Sequence, residues 1–123
     1  MNLLGNLIWL IFGGLIAAIE YFIASLLLMI TIVGIPFGIQ TLKLAMLMLW
    51  PFGAEVKDTE NAGGCLHTLM NVLWIFLGGI WIALTHLLFG ILLTITIIGA
   101  PWGSQHFKLA SLALTPFGKR VIT

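Results

Sequence analysis

Charged side chains are scarce in this sequence. Of its 123 residues, 7% are Asp, Glu, Lys or Arg, whereas 61% are hydrophobic. A soluble domain carries roughly a quarter charged residues, and a small domain leaves much of its surface exposed. A surface that faces water on every side is therefore excluded, and we expect a membrane protein. The first basic residue is Lys43, so the basic start of a cleavable signal peptide is lacking and we expect the first apolar run to be retained.

Several other features are absent, and each absence excludes a class of function. A single cysteine, Cys65, excludes an intramolecular disulfide. A net charge of +1 without a basic patch argues against nucleic acid as a partner. The three histidines and Cys65 do not have the spacing of a zinc site, so we expect neither a metal nor a cofactor. No paired carboxylates, nucleophile motif or phosphate loop is present, and we do not expect an enzyme.

The sequence contains one unit twice. Residues 6–53 align without a gap on residues 71–118, an offset of 65, with 22 identities in 48 positions. The identities include Asn, Trp, Pro, Gln, Lys and paired Gly, so shared hydrophobicity does not explain them. Between the copies lies a polar stretch, which predicts a solvated linker. We assign residues 1–53 to the first repeat, 54–65 to the linker and 66–123 to the second repeat.

Each repeat begins with an apolar run of more than thirty residues, Leu3–Val33 and Leu66–Ile98. About twenty residues cross the apolar part of a bilayer. The pairs Gly13-Gly14 and Gly78-Gly79 interrupt the runs, but a turn there would leave about ten residues on its N-terminal side, too few to cross. We therefore expect each run to be helical throughout, and each Gly pair to be a surface for close helix packing.

A Gly-x-Pro-x-Gly phrase ends each run, and a segment with one Lys follows it. The phrase predicts an elbow in which the first Gly is left-handed, the Pro begins a new helix and the last Gly keeps the corner slim. The six elbow residues are Gly34, Pro36, Gly38, Gly99, Pro101 and Gly103.

The helices that follow the elbows, Ile39–Trp50 and Ser104–Thr115, would be about 18 Å long, too short to cross. Each has a narrow polar stripe, formed by Gln40 with Lys43 and by Gln105 with Lys108. We expect an amphipathic helix that is interfacial or re-entrant rather than a second span.

Two topologies remain open. One crossing in each repeat gives inverted repeats, whereas two crossings give parallel repeats. All five basic residues follow the two elbows, and parallel repeats would place them together on the cytoplasmic side. We favour inverted repeats, because a parallel arrangement requires a turn for which the sequence has no signal.

Two ionisable residues lie deep in the apolar runs. Glu20 is near the centre of the first run, where a charged carboxylate is costly and should be paired, protonated or in contact with water. His86 stands one place beyond the equivalent position of the second run, so inverted repeats make a Glu20–His86 contact plausible. The two residues either line a permeation path or gate, or form a buried hydrogen bond that fixes helix register.

The repeated pattern, "ITIVGIPFGIQTLKLAMLMLWPFG" and "ITIIGAPWGSQHFKLASLALTPFG", resembles the bacterial YccF family of inner membrane component domains. The resemblance covers both repeats and implies a multi-pass protein of the bacterial inner membrane with two tandem YccF domains. It brings no catalytic residue with it. Family members tend to have Gly where this chain has Glu20, so the resemblance supports His86 better than Glu20 as a functional residue.

The sequence leaves two functions open. The first is a homo-oligomeric channel or pore for ions, anions included, or for small solutes. Its candidate pore or gating residues are Glu20, His86, Lys43, Lys108, Gln40 and Gln105. The alternative is a non-conducting component that binds partner proteins or lipid, which agrees with the low polarity of the long runs.

Overall fold

The structure is a computed structural model that describes residues 2–59 and 64–122. Six α-helices and two short strands make up most of it. The helices are α1 Asn2–Trp9, α2 Leu15–Ile30, α3 Ile35–Leu49, α4 Cys65–Trp74, α5 Ile80–Ile95 and α6 Ala100–Leu114. The strands are β1 Glu55–Asp58 and β2 Lys119–Ile122. Five-residue π-helical segments, Leu10–Gly14 and Ile75–Gly79, join α1 to α2 and α4 to α5.

Two helices are long and apolar enough to cross a membrane, Leu3–Ile30 with 28 residues and Cys65–Ile95 with 31. The buried side of α2 carries small or slim residues at helical spacing, such as Ala17, Ala24 and Ser25. Large side chains such as Ile19 and Ile23 remain exposed on its opposite side. An exposed apolar side of this kind suits contact with lipid, and the expected all-α architecture with an internal duplication is confirmed.

Each short helix folds back along its long helix. In the first repeat the hydroxyls of Ser25 in α2 and Thr41 in α3 are 2.5 Å apart and share a hydrogen bond. A Cβ on Gly38 would collide with Met29, and one on Gly103 would lie 2.8 Å from the Gly90 carbonyl oxygen. The last Gly of each elbow therefore permits close packing, as predicted. The helices α3 and α6 therefore pack along α2 and α5, respectively.

Matching side-chain hydrogen bonds close both hairpins. The Asn6 amide donates to the Phe52 carbonyl and accepts from the Phe52 backbone N–H, at 3.1 and 2.9 Å. Asn71 makes the same two bonds to Phe117. These contacts bring the end of each short helix beside the start of its long helix, and they explain why Asn recurs in both repeats.

The elbows form for a different reason from the one predicted. Gly34 and Gly99 both have negative φ, −79° and −81°, so the expected left-handed conformation is wrong. A side chain is excluded there by crowding, because a Cβ on Gly99 would lie 2.7 Å from the Thr96 hydroxyl. That hydroxyl donates to the Leu93 carbonyl and accepts from the Gly99 N–H. The prolines lie in the first turn of α3 and α6, as expected.

One Gly-Gly pair interrupts its helix, which the sequence did not predict. Phe12 and Gly13 leave the helical conformation, and Gly13 has φ 120°. At the equivalent position, Gly78 stays helical, and the second long helix is continuous. Both pairs are buried contact surfaces, as predicted, since a Cβ on Gly78 would lie 2.8 Å from Cβ of Ala24. The expectation of an uninterrupted helix is confirmed in the second repeat only.

The two repeats pack as an inverted pair. A Cβ on Gly13 would lie 2.9 Å from Phe89, Glu20 is bonded to Thr85, and Gly78 lies against Ala24. The residue numbers of the contacts rise along the first long helix as they fall along the second, so α2 and α5 are antiparallel. At one end of the bundle, Trp102 beside the second elbow donates to the Gly5 carbonyl, 2.9 Å away. The favoured inverted arrangement is confirmed for the relation between the repeats.

The strands are the largest departure from the sequence prediction. Part of the stretch predicted as a solvated linker forms β1, which pairs antiparallel with β2 near the C-terminus. Val56 pairs with Val121, and Lys57 pairs with Arg120. The remaining linker residues 60–63 lie outside the described residues. We call this two-stranded element the ribbon.

Candidate functional site: a polar face centred on the ribbon

One side of the ribbon faces the bundle and the other faces outward. Val56 and Val121 pack against the hydrophobic core. The neighbouring pairs point the other way because side chains alternate along a strand. They present three charged side chains, Glu55, Lys57 and Arg120, together with Ile122, and all four are exposed. The ribbon therefore covers the bundle with its valines and directs charge outward.

A groove runs along each side of the ribbon. The α3 groove lies between β2 and α3, and its lining is Gln40, Lys43, Met46, Leu47, Trp50, Arg120 and Val121. The α6 groove lies between β1 and α6 and is lined in part by Gln105, Lys108, Ser111, Thr115, Glu55 and Asp58. Each has a volume of about 440 Å³. Four of the six predicted pore residues, two from each repeat, thus border the ribbon.

Hydrogen bonds from Gln40 attach the ribbon to the bundle, and ion pairs join residues within the ribbon. The Gln40 amide donates to the carbonyl oxygens of Pro116 and Lys119, at 3.1 and 2.7 Å. Lys119 forms an ion pair with Asp58 on the facing strand at 2.5 Å, and Lys57 lies 3.7 Å from Glu55. One half of the predicted Gln-Lys stripe is therefore a structural anchor for β2, while Lys43 beside it stays exposed.

We call the ribbon and its two grooves the polar face. It carries all five basic residues of the chain: Lys43, Lys57, Lys108, Lys119 and Arg120. Among the residues that the structure describes, it also carries two acidic side chains, Glu55 and Asp58. Five cations against two anions give the described part of this face an excess of positive charge.

The ribbon lies halfway along the long helices. Val56 and Val121 are equivalent positions of the two repeats and pair with each other. Glu20 and Thr85 are also equivalent and are bonded to each other, at 3.0 Å. A pseudo-two-fold axis passes through both pairs, and it must run across the long helices because they are antiparallel. The polar face is thus centred at mid-height, where the repeats are related.

Glu20 and His86 do not form the contact expected from the sequence. One Glu20 oxygen accepts a hydrogen bond from the Thr85 hydroxyl, while the other is buried without a partner among the described residues. His86 instead approaches His106, with the two Nδ1 atoms 2.9 Å apart. The expected contact is wrong by one residue, because Thr85 and not His86 is the position equivalent to Glu20.

The histidine pair has a defined hydrogen-bond order. His106 Nε2 is 2.9 Å from the Phe12 carbonyl oxygen, which can only accept, so Nε2 carries a proton. In the neutral ring Nδ1 of His106 is then an acceptor, and His86 Nδ1 donates to it. Nε2 of His86 is left as a buried acceptor with no partner in the described ranges. The pair connects the second repeat to the Phe12 carbonyl at the kink of the first.

Aromatic contacts across the repeats repeat the same symmetry. Trp9 stacks on His106 with ring centroids 4.0 Å apart, and on His86 at 6.1 Å. Tyr21, the equivalent of His86, stacks on Trp74, the equivalent of Trp9, at 5.9 Å. Neither Glu20 nor His86 is among the residues that line the two grooves. Both belong to the packing between the repeats.

His106 and Arg120 were not among the candidate residues predicted from the sequence. His106 occupies the position of Thr41 in the first repeat, and that replacement of Thr by His was a visible signal of divergence. Arg120 lies beyond the aligned block, and only the pairing of β2 with β1 brings it beside Lys43. A local sequence pattern does not predict that two strands more than sixty residues apart pair with each other.

These features define a class: a small helical membrane protein made of two inverted repeats, with a polar face at mid-height. The inner membrane component domain YccF matches residues 4–54 and 69–119, so both repeats are covered. The chain belongs to the YccF family. It is 30% identical to the inner membrane protein YccF of Escherichia coli (strain K12), over 96% of this chain and 85% of that protein.

A second relative gives the same result. The inner membrane protein YccF of Shigella flexneri is also 30% identical, over the same shares of the two chains. No solved structure matches the chain. The family and the two long apolar helices support a location in the inner membrane.

Proposed function

We propose that copies of this chain assemble in the inner membrane around an aqueous path and that the polar face lines it. The proposal requires a multi-pass protein and a homo-oligomer, with lipid in contact with the outer side of the long helices. One observation carries the proposal. A charged ribbon lies at mid-height of a bundle whose other sides expose Ile, Leu and Phe.

Lipid is an unsuitable neighbour for this face. A charged side chain at the centre of a membrane helix costs about 2.5–3.5 kcal/mol on insertion scales, and the polar face carries seven such groups. The ribbon also has two outer edges, and strand edges in contact with lipid leave backbone groups without hydrogen bonds. Non-helical backbone at membrane depth occurs where protein covers it or where it borders water. An aqueous path between copies satisfies both requirements.

The charge of the face favours anions as the conducted species. Lys43, Lys57, Lys108 and Arg120 are exposed on it, whereas Lys119 is paired with Asp58. Rings of Lys or Arg are how anion pores attract their ions. We assign the lining of the path to the ribbon together with Gln40, Lys43, Gln105 and Lys108. We assign Glu20 and His86 to the contact between the repeats.

Flux measurements on purified protein in liposomes test the proposal. We expect chloride flux to exceed potassium flux, and we expect native mass measurement to show an oligomer. Lys57→Glu should lower the preference for chloride, because it reverses the charge at the centre of the ribbon. Glu20→Gln serves as the control and should leave the preference unchanged, since Glu20 lies off the polar face.

Two outcomes would contradict the proposal, the first by removing the channel and the second by removing the polar face from its lining. Absence of flux in any salt from a verified oligomer would favour the alternative, a non-conducting component that binds protein or lipid through the same face. Flux whose ion preference is insensitive to Lys57→Glu would place the path elsewhere.

A further inference from the structure

The two grooves of the polar face are equivalent by duplication but have diverged in charge. Gln40 and Lys43 of the α3 groove correspond to Gln105 and Lys108 of the α6 groove. Arg120 also lines the α3 groove, and Glu55 lines the α6 groove. The offset of 65 makes these two residues equivalent. One repeat therefore offers a second cation where the other offers a carboxylate.

The divergence leaves one groove cationic. Lys43 and Arg120 border the α3 groove, and no acidic side chain is among its described lining residues. In the α6 groove, Lys108 shares the lining with Glu55 and Asp58. The two grooves have similar volumes, about 440 Å³, whereas the charges of their linings differ.

The α3 groove is also the better anchored of the two. Gln40 fixes the start of β2 through its bonds to Pro116 and Lys119, which holds Arg120, the next residue, beside α3. A cation on a fixed strand loses less conformational freedom on binding than one on a mobile loop. The guanidinium can hold a carboxylate or phosphate through two parallel hydrogen bonds.

The rest of the α3 groove is apolar. Met46, Leu47, Trp50 and Val121 complete its lining, and Trp50 is 43% exposed. A small inorganic ion would leave these side chains without a partner. Pockets of about 300–1,000 Å³ with an apolar lining and a few polar groups are typical of sites for organic molecules.

We propose that the α3 groove binds an organic anion, with its carboxylate or phosphate at Lys43 and Arg120 and a short apolar chain against Met46, Leu47 and Trp50. The role of this site rests on the proposed function. Within that function, the site specifies the class of anion that enters the path. Binding itself is measurable on purified protein without any conduction. The two proposals can therefore fail separately.

Quenching of tryptophan fluorescence tests the site directly. The probe is 6-bromohexanoate, whose bromine quenches an indole that it touches, and 6-bromohexan-1-ol is the matched neutral probe. We expect saturable quenching by the carboxylate at concentrations at least tenfold lower than those needed for the alcohol. Trp50→Phe should abolish the saturable part, because Trp50 is the tryptophan in the groove. Equal quenching by both probes would overturn the proposal, since it would show apolar partition without recognition of the anion.

Charge variants then separate the two grooves. Arg120→Glu copies the α6 groove and should weaken 6-bromohexanoate binding at least tenfold, whereas Arg120→Lys should keep part of the affinity. The matched variant Lys108→Gln changes the α6 groove and should alter the affinity less than about twofold. Circular dichroism checks that each variant is folded. Unchanged affinity in a folded Arg120→Glu protein, or equal losses in Arg120→Glu and Lys108→Gln, would refute the assignment.

A short phosphate distinguishes the sources of the anion. If hexyl phosphate competes with 6-bromohexanoate, a water-soluble anion suffices for the site. If only vesicles of anionic phospholipid compete, the groove recognises a lipid headgroup, and the proposal of a soluble organic anion in the path is overturned.

Discussion

The kink at Gly13 can be tested against an internal control, because the equivalent residue of the second repeat, Gly78, stays helical. Gly13→Ala introduces a Cβ where φ is 120°, a conformation that residues with side chains rarely adopt. Such backbone strain costs about 1–3 kcal/mol. The new Cβ would also lie 2.7 Å from the His106 ring and 2.9 Å from Phe89, and overpacking of this kind costs about 1–3 kcal/mol more. We expect the folded state to lose about 2–6 kcal/mol.

The same substitution in the second repeat should cost less. Gly78 is helical, so Gly78→Ala gains about 1 kcal/mol of helix propensity. Its Cβ would lie 2.8 Å from that of Ala24, and the resulting overpacking of about 1–3 kcal/mol leaves a net cost of about 0–2 kcal/mol. The difference between the two variants should therefore be about 2–4 kcal/mol, with Gly13→Ala the less stable.

The assay is unfolding by SDS in mixed micelles, followed by circular dichroism and analysed by linear extrapolation. The double variant Gly13→Ala/His106→Ala removes the ring that the new Cβ meets. Its loss should be smaller than the sum of the two single losses, because the two sites are in contact. Equal losses for Gly13→Ala and Gly78→Ala, or additive losses in the double variant, would show that neither the kink nor its contact with His106 is as described.

Three further predictions concern the topology, a buried bond and the ribbon. The topology is tested with Val33→Cys and Ile98→Cys, each made after replacement of the native cysteine, at equivalent exposed positions of the two elbows. The two variants should react with impermeant maleimide from opposite sides of the membrane. Reaction of both from the same side would contradict inverted repeats. Trp9→Phe should lower the free energy of unfolding in SDS by about 1–3 kcal/mol, because the buried Met48 carbonyl loses the indole N–H that donates to it at 2.6 Å. An unchanged free energy of unfolding would show that this hydrogen bond is absent. Gln40→Leu should speed hydrogen exchange in β2, since it removes two anchoring bonds, and the matched variant Gln105→Leu should not; equal exchange in both would exclude the anchor.

The repeat architecture could be predicted because its signals are local. An offset of 65 aligns rare residues such as Asn6 with Asn71. In the structure both side chains form the same hydrogen bonds to the backbone that follows the short helix of their repeat. Proline after glycine marks the start of α3 and α6 whatever surrounds it. The inverted arrangement was favoured, against the distribution of basic residues, because parallel repeats require a turn for which the sequence has no signal. A turn at a Gly pair would leave about ten residues, too few to cross a bilayer.

The ribbon could not be predicted, because neither strand is stable alone. Residues 55–58 read Glu-Val-Lys-Asp, and Asp, Glu and Lys are poor strand formers. The strand forms because residues 119–122 provide a partner and the core covers Val56 and Val121. The kink also has no local signal, since both Gly pairs follow an apolar residue and only one of them leaves the helix.

The repeats differ at the positions that the pseudo-two-fold relation brings together. Glu20 meets Thr85 on the axis, and the buried Tyr21 has become His86. A symmetric pair of glutamates on the axis would place two carboxylates in contact at mid-membrane, and like charges at such a distance cannot both ionise. Thr at the second position donates the hydrogen bond that a second carboxylate could not donate while ionised.

The exposed face of the ribbon also differs between the two repeats. An ancestral pair of identical repeats would have carried the same residue at positions 55 and 120, and therefore two grooves of the same charge. With Glu at one position and Arg at the other, the chain keeps one cationic groove and one mixed groove on a scaffold that is otherwise nearly symmetric. Packing explains why Leu44, Ala45 and Leu47 are identical to their equivalents in the second repeat, because substitutions in a core are costly. Packing places no such demand on positions 55 and 120, which are exposed, so the reversal of charge there leaves the two grooves free to bind different molecules.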